Sequence, residues 1–262
     1  MGARAIWKAH ITFGAVDVPV KLYSAVQDRA VHFRLLDARG HQPVKQRMVD
    51  PDTGEVVDPA DIRRAYPADD GDLVILDEEE LAEATPEPSR EITISRFVAP
   101  DKITHQWYDR PYFLGPDEDD GAYFALVAAL GKRGVEGVAH WTLRGKEYVG
   151  ALRAEGDYLM LITLRHAGEV VPASALPAPT GRALDEREIN MAKQLVAAME
   201  DPFDIAAYHD EYRERVLEYV QAKAAGKVVK FPRAPTRNTE VDLADVLQAS
   251  LAATGGKERK RA

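Results

Sequence analysis

The first 25 residues constrain the fold more than any other segment, because their apolar and polar side chains alternate with the period of a β-strand. One side of the first strand would carry Ala5, Trp7, Ala9, Ile11 and Phe13, and the other Arg4, Lys8, His10 and Thr12, with Ile6 as the exception. Gly14 and Pro19 punctuate the segment, and the alternation resumes at Val16, Val18, Val20 and Leu22 and ends near Tyr23. The chain is thus predicted to open with two half-buried strands joined by a turn.

Further strands are predicted where short runs of strand-forming residues lie between turn residues, at 30–36, 44–49, 73–76, 91–98 and 104–114. Three more lie within residues 138–166, separated by turns around Gly145 and Gly156, which is the pattern of an antiparallel meander. Helices are predicted within residues 76–88 and 122–134. About nine strands with little helix between them favour a barrel-like sheet.

The pattern becomes helical after the proline-rich residues 170–181. Asp185 and Glu188 fit a capping box, and the residues that follow repeat at helical spacing. A second amphipathic helix is predicted to carry one stripe made of Tyr208, Tyr212, Val216, Tyr219 and Val220. A helical pair alone has nothing on which to bury such stripes, so we expect them to pack on the barrel or on another subunit. A basic linker at 227–238 then precedes a short last helix and the tail KERKRA.

Composition excludes several classes of protein. The 262 residues are 45% hydrophobic and 29% charged, which is typical of a folded chain. The sequence contains no run of 18 or more apolar residues, the length needed to span a bilayer as a helix. The N-terminus lacks the apolar core of a signal peptide, so we expect a cytoplasmic location. The absence of cysteine excludes disulfides, thiolate catalysis and cysteine zinc sites.

Charge is segregated along the chain. The formal net charge of -9 argues against a nucleic-acid partner, because lysine and arginine drive phosphate binding. Residues 1–48, however, carry eight Lys and Arg against three Asp and Glu, whereas residues 49–91 carry three against fifteen. The basic segment therefore keeps a nucleic-acid partner open.

Motifs for catalysis are missing from the sequence. The seven histidines include no pair at the i, i+4 spacing that places two metal ligands on one helical face. No serine lies in a G-x-S-x-G motif, and the run Asp77–Glu80 is typical of a solvated helix face. We expect no catalytic residue, no metal and no cofactor, and the chain is not predicted to be an enzyme.

Basic residues at predicted strand ends and turns are the remaining candidates for a binding site. They are Lys8, Lys21, Lys45, Arg47, Lys132, Arg133, Arg144 and Lys146. They are either ordinary surface charge or a positive surface that follows a phosphate backbone. Aromatic residues are sparse among them, which favours contact with duplex over base stacking on single strands.

Four segments of the chain, in this order, resemble the Ku family of double-strand-break repair in its bacterial homodimeric form. They are RAIWKAHITFGAVDVPVKLYSA, FVAP with YDRPYFLGP, HWTLRGKEYVGALR and DEYRERVLEYVQAKAAGK. The resemblance covers residues 3 to about 226. It implies a mainly β fold with α, in which a central β-barrel carries a ring-forming insertion and a C-terminal helical arm.

For function, the resemblance implies a homodimer whose two chains form a ring around double-stranded DNA and load from a free end. Residues 1–181 would form the barrel and DNA-binding core, 182–226 the dimerisation arm and 227–262 the minimal C-terminal region. The basic residues named above would contact phosphates without reading sequence, at DNA breaks in the bacterial nucleoid. Tyr208, Tyr212, Val216 and Tyr219 would lie in the dimer interface.

The resemblance also implies that the C-terminal region recruits a multi-domain ATP-dependent DNA repair ligase. We hypothesise that Leu243, Val246, Leu247 and Leu251 form the docking stripe; alternatively, this helix packs back on the barrel. Several members of the family carry C-x-x-C where this chain has Asp50 and Thr53, so a metal or redox role of that pair is not expected. The short basic tail predicts weak retention on closed circular DNA.

Two other functions remain possible from the residues alone. A general DNA-coating architectural protein would bind linear and circular DNA without preference for ends. An end-processing nuclease or lyase would need a carboxylate and metal constellation that the sequence does not show.

Overall fold

The computed structural model describes residues 4–118 and 120–227, which separate into two compact units. Of these residues, those up to Arg29 together with Phe33–Ala175 form the first unit. Ala30–His32 and the residues from Leu176 onward form the second.

The described residues of the first unit contain nine strands and two α-helices. The strands are β1 (Trp7–Phe13), β2 (Val16–Ser24), β3 (Arg64–Pro67), β4 (Leu73–Leu76), β5 (Glu91–Val98), β6 (Tyr108–Pro116), β7 (Glu136–Leu143), β8 (Lys146–Glu155) and β9 (Tyr158–Leu164). The helices are α1 (Glu78–Glu83) and α2 (Asp120–Arg133), with short 3₁₀ turns at Pro59–Asp61, Pro100–Lys102, His105–Trp107, Ala167–Glu169 and Ala173–Ala175.

Seven of these strands close into a barrel in the order β1, β2, β6, β9, β8, β7, β5, which confirms the predicted barrel. All neighbours are antiparallel except β5 and β1, which pair in parallel and complete the closure. Closure leaves no barrel strand with a free edge.

The β1–β2 hairpin has the predicted alternation. Phe13 pairs with Val16 across a two-residue turn, and Gly14 takes a φ of 57° there, a conformation that glycine adopts at little cost. Ala9 and Ile11 are buried opposite Val20 and Val18. Lys8 and His10 point away from the core, so the polar side of the strand is the outer face of the barrel.

Helix α2 contributes its apolar face to the same core as the strands. Tyr123, Leu126, Val127 and Leu130 are buried in one cluster with inward-facing strand residues. The Tyr123 hydroxyl donates to the carbonyl of Leu114 at 2.5 Å and accepts from the amide of Leu159 at 2.9 Å. One buried side chain thus satisfies backbone groups of both β6 and β9.

Trp141 packs tightly inside the barrel. Its ring stacks on Tyr148, with centroids 5.4 Å apart, and lies close over Gly150. A Cβ atom at Gly150 would approach the indole to 2.6 Å and the carbonyl oxygen of Ile162 to 2.7 Å. Glycine is therefore required at this point of β8.

The insertion between β2 and β5 differs from its prediction. Residues 30–36 and 44–49 are not strands, and form only the isolated bridges Leu36 to Pro43 and Val49 to Val56. The Asp37 carboxylate accepts from the amide of Gly40, and that of Asp50 from the amides of Asp52 and Thr53. These tight turns reverse the chain before a ladder can extend.

Strands β3 and β4 of the insertion pair as a separate two-stranded hairpin, with Arg64 opposite Leu76. Residues 73–76 were predicted as a strand, whereas β3 was not. The acidic helix is confirmed but is limited to α1, and β6 begins four residues later than predicted because residues 105–107 form a 3₁₀ turn.

The second unit contains helices α3 (Glu186–Ala198) and α4 (Glu211–Ala224), with a 3₁₀ turn at Ile205–Ala207. The capping box is confirmed: Asp185 accepts from the Glu188 amide at 2.8 Å, and Glu188 accepts from the Asp185 amide at 3.0 Å. Tyr208 lies outside α4, so its predicted place on the helical stripe was wrong. The Asp210 carboxylate accepts from the amide of Arg213 and begins the helix after it.

Candidate nucleic-acid interface

The eight basic residues predicted to contact DNA lie in four settings. Lys8 and Lys21 are on the outer face of β1 and β2, and Lys45 and Arg47 are exposed in the insertion between its two isolated bridges. Lys132 and Arg133 are exposed in the last turn of α2. Arg144 and Lys146 belong to the turn between β7 and β8 and to the first residue of β8.

The structure brings Lys8 and Lys21 together around a third residue. They are directly opposite each other in the hairpin, where two like charges would repel. Asp117, which follows β6, accepts from both: its Oδ2 is 2.9 Å from the Nζ of Lys8 and its Oδ1 is 2.6 Å from the Nζ of Lys21. The amide of Asp117 also donates to the carbonyl of Pro19 at 3.1 Å, which fixes the carboxylate beside β2.

The ionisation of this group reflects the pairing. Hydrogen bonds from Lys21 and Lys8 hold the pKa of the Asp117 carboxyl below its ordinary value, and the same contact raises the pKa of Lys21. Because the pKa of Asp117 is lowered by folding, the stabilisation is complete above the ordinary carboxyl pKa. It is lost as the pH falls through the lowered value.

Arg144 has an unusual backbone conformation. Its φ is 53° and that of Gly145 is 71°, the two positive values of a type I′ hairpin turn. Asparagine or glycine is favoured at the first position, because a larger side chain costs about 1 kcal/mol or more in this region. The Arg144 side chain is exposed and forms no ion pair within residues 4–118 and 120–227.

Asp117 is the residue of this site that sequence reasoning missed. A two-residue turn at Gly14 and Ala15 is enough to deduce that Lys8 faces Lys21, and two facing cations call for an anion nearby. The facing lysines therefore predict a nearby anion, but they do not indicate which of the many carboxylates in the chain supplies it.

Arg153 on β8 was also not predicted, and its charge is already paired within the barrel. It contacts Glu136 and Glu155, each at 3.3 Å, and Tyr108 donates to Glu136 at 2.7 Å. Burial, together with the bond to Glu136, raises the pKa of Tyr108 to about 12. This network stabilises the barrel wall and leaves Arg153 less available to an external anion.

The chemistry of a metal site is not present in the described part of the chain, where no three His, Asp or Glu side chains are grouped so as to hold an ion. A cavity of about 300 Å³ beside β5, β7 and β8 is lined by Glu91, His140, Glu147 and His166 among others.

No described helix is long and apolar enough to cross a membrane.

The residues predicted for the dimer interface are largely solvent-exposed within the chain. Tyr208, Tyr212 and Tyr219 are exposed and Val216 is half-buried. The predicted docking stripe of Leu243, Val246, Leu247 and Leu251 lies outside the described residues.

Comparison with known proteins identifies the family. Residues 12–191 match the family model described as Ku70/Ku80 beta-barrel domain. A protein of Coxiella burnetii named Non-homologous end joining protein Ku is 35% identical over 96% of this chain and 95% of its own length. Proteins of the same name from an Anaeromyxobacter species and from Mycobacterium tuberculosis are 38% and 34% identical, over 96% and 85% of this chain and 86% and 84% of their own lengths. The family-model match covers all of the barrel except the first five residues of β1, and the relatives align over most of the chain, so the chain belongs to the Ku family, as its sequence motifs predicted.

Proposed function

We propose that this chain acts in non-homologous end joining as a homodimeric ring that threads onto double-stranded DNA from a free end. It would protect the end and recruit an ATP-dependent DNA repair ligase. The observation that carries the proposal is the family match over the barrel, together with near full-length relatives whose name is Non-homologous end joining protein Ku. The ring, the dimer and the ligase are part of the proposal.

The backbone at the β7–β8 turn supports a role of Arg144 in DNA binding. A residue held in an unfavourable conformation at an exposed tip, where asparagine or glycine would be more stable, is expected when its side chain has a function. Arg144 and Lys146 place two cations at this turn. We propose that these cations contact phosphates, and because phosphate contacts carry no sequence information, the proposed binding is independent of DNA sequence.

Exposed apolar side chains support association with a second copy. Within the insertion, Phe33, Met48, Tyr66 and Leu73 are each about two-thirds exposed. A soluble chain seldom leaves so many large apolar groups in water unless another surface covers them. In the second unit Tyr208 and Tyr212 are exposed to a similar extent and Tyr219 is about half exposed, which is consistent with a dimerisation arm at residues 182–226.

The acidic surface supports binding through a limited region of the chain. The Asp and Glu side chains of residues 49–91 are almost all exposed. A duplex held by cations elsewhere would be repelled by this segment, which disfavours coating of DNA along the whole surface.

The deciding experiment compares gel-shift binding to one duplex in three forms at physiological salt. The forms are linear with free ends, linear with both ends blocked by bulky protein, and covalently closed circular. We expect stable binding only where an end is free. Equal binding to all three would contradict threading and would instead identify an open, DNA-coating architectural protein.

Recruitment of the ligase needs a separate test, because it is assigned to residues 227–262, which the match to the family model does not cover. Deleting residues 239–262 should abolish stimulation of end ligation while leaving the gel shift unchanged. Ligation that is stimulated equally by the shortened chain would exclude the docking stripe of Leu243, Val246, Leu247 and Leu251.

A further inference from the structure

The outer face of the β1–β2 hairpin carries a small charged group that we call the lysine clamp, formed by Lys8, Lys21 and Asp117. The side chain of Asp117 is only 11% exposed, whereas that of Lys8 is 58% and that of Lys21 32% exposed. The carboxylate therefore lies on the protein side and the ammonium groups lie on the solvent side. An anion approaching from solvent would meet the two ammonium groups first.

Asp117 could have either of two opposite effects on such an anion. It neutralises one of two positive charges, which would weaken the attraction. It also fixes two flexible lysine side chains that would otherwise repel each other and spread over many rotamers. Each ammonium group has three N–H donors, and the bond to Asp117 uses one of them, so donors remain for a ligand.

The geometry favours the second effect. Asp117 contacts the two lysines through different oxygens, so neither ammonium displaces the other. The carboxylate is itself fixed by the bond from its own amide to Pro19 and by its low exposure. An arrangement held from the protein side loses little side-chain freedom when a ligand binds, which is the usual advantage of a preorganised site.

We propose that Asp117 is a positioning residue for DNA, which holds the ammonium groups of Lys8 and Lys21 side by side as one contact for the phosphate backbone. This inference rests on the proposed function, because the ligand is the duplex that the ring would enclose. Removing the negative charge of Asp117 is therefore expected to weaken the binding of a polyanion.

The test measures affinity for a linear duplex with free ends, and its dependence on salt, for the full chain and for Asp117→Asn. We expect about three- to tenfold weaker binding and a smaller slope of log K against log salt. Asp17→Asn is the matched control. It lies on the same hairpin, is exposed, contacts His10 at 2.7 Å and changes the net charge by the same amount. Its affinity should stay within about twofold of the unchanged chain.

A double-mutant cycle separates positioning from a general loss of structure. In a chain that already carries Lys8→Gln and Lys21→Gln, Asp117→Asn should have no further effect on DNA affinity. The Lys8→Gln and Lys21→Gln changes alone should each lower the salt slope by about 1. These two variants keep the test decisive if Asp117→Asn does not fold, because unchanged slopes would overturn the inference.

Binding by Asp117→Asn that equals or exceeds that of the unchanged chain would also overturn the inference, since Asp117 would then act only as a neutralising charge. Failure of the proposed function has a different signature. In that case the unchanged chain itself would show no preference for free DNA ends.

Discussion

Large apolar side chains are buried in the barrel, whereas many of those in the segments outside it are exposed. Leu152, Leu159 and Leu161 of the barrel are completely buried, whereas Leu73 of the insertion and Met199 of the second unit are each 68% exposed. The barrel closes on itself, so its inner face is covered by its own strands and by α2. Almost all residues of the separate hairpin β3–β4 are exposed, and a two-stranded sheet alone is marginally stable in water.

The two regions also differ in the polar groups that hold them. In the barrel, the buried Tyr123 hydroxyl links two strands to a helix. In the second unit, Glu188 accepts from Arg182 and from the Asp185 amide that it caps. The barrel is thus stabilised by burial, and the outer segments are stabilised by local turns and caps. Such a difference is expected of a protein with a stable core and outer segments that bind partners.

The largest effect is expected from a cavity in the barrel. Leu161→Ala should lower the free energy of unfolding by about 2 to 5 kcal/mol, because a fully buried side chain is removed from a packed core. Leu73→Ala removes the same atoms from an exposed position and should change it by less than about 0.5 kcal/mol. Urea denaturation of both variants at low protein concentration measures the contrast. Similar losses in the two would contradict the comparison.

The second largest effect on stability is expected from removing the buried hydroxyl of Tyr123. Tyr123→Phe keeps the ring but leaves the carbonyl of Leu114 and the amide of Leu159 without the hydroxyl, at a cost of about 2 to 4 kcal/mol. Tyr158→Phe makes the same change on a half-exposed ring of β9 and serves as the control, with little change expected. Thermal unfolding of both variants checks this, and an unaffected Tyr123→Phe would show that the hydroxyl is dispensable.

Association should depend on the second unit. Replacing the exposed Tyr212 and Tyr219 by serine should weaken the proposed dimer by about tenfold or more, because exposed aromatic residues commonly dominate interfaces. Gln221→Ser on the same helix should not. Sedimentation equilibrium measures the dissociation constant. A chain that is monomeric at micromolar concentration before any change would refute this prediction together with the proposed dimer.

A change in the β7–β8 turn should raise the stability of the barrel and weaken DNA binding. Arg144→Asn creates an Asn-Gly type I′ turn and should stabilise the barrel by about 1 kcal/mol, since asparagine tolerates positive φ better. The same change should weaken DNA binding by about threefold or more. Lys146→Asn keeps the strained turn and removes one cation, so it should weaken binding without the gain in stability. Unchanged binding of both variants would remove this turn from the interface.

The smallest effect should be a pH dependence confined to acid conditions. The bond from Arg182, and then that from the Asp185 amide, lower the pKa of Glu188 from 4.5 to about 2. Since folding lowers this pKa, stability should fall between about pH 4.5 and 2 and be unaffected by this group above that window. Glu188→Gln should remove that part of the slope, and Glu186→Gln, at an exposed position in the same turn, should not. Circular dichroism melts at pH 5, 4 and 3 compare the variants.

Regular patterns made the barrel and the caps predictable. The β1–β2 hairpin, β5 and the capping box at Asp185 each depend on residues that are close in sequence, so a short window contains the whole signal. The insertion was mispredicted as the strands 30–36 and 44–49 because its apolar residues suit a strand. The carboxylates of Asp37 and Asp50 instead close tight turns, and a propensity count does not register such turns.

The candidate site was predicted only as a set of residue types. The eight basic residues could be selected because cations are needed for phosphate binding, and the structure brings Lys8 and Lys21 into one group. It places the other six in three further settings. Nothing in the spacing of residues 8 and 21 indicates Asp117, because this residue directly follows β6, a strand distant in sequence that closure places beside β2.

The sequence by itself determined the strand faces, the helix caps and, through its motifs, the Ku family. These are properties of neighbouring residues, because the side-chain period and the capping hydrogen bonds involve residues only a few positions apart. Only the tertiary structure decided which carboxylate lies between Lys8 and Lys21, which hydroxyl joins β6 to β9, and which apolar side chains stay exposed. The first two depend on the order in which seven strands close into a barrel, because contacts between distant segments exist only after closure.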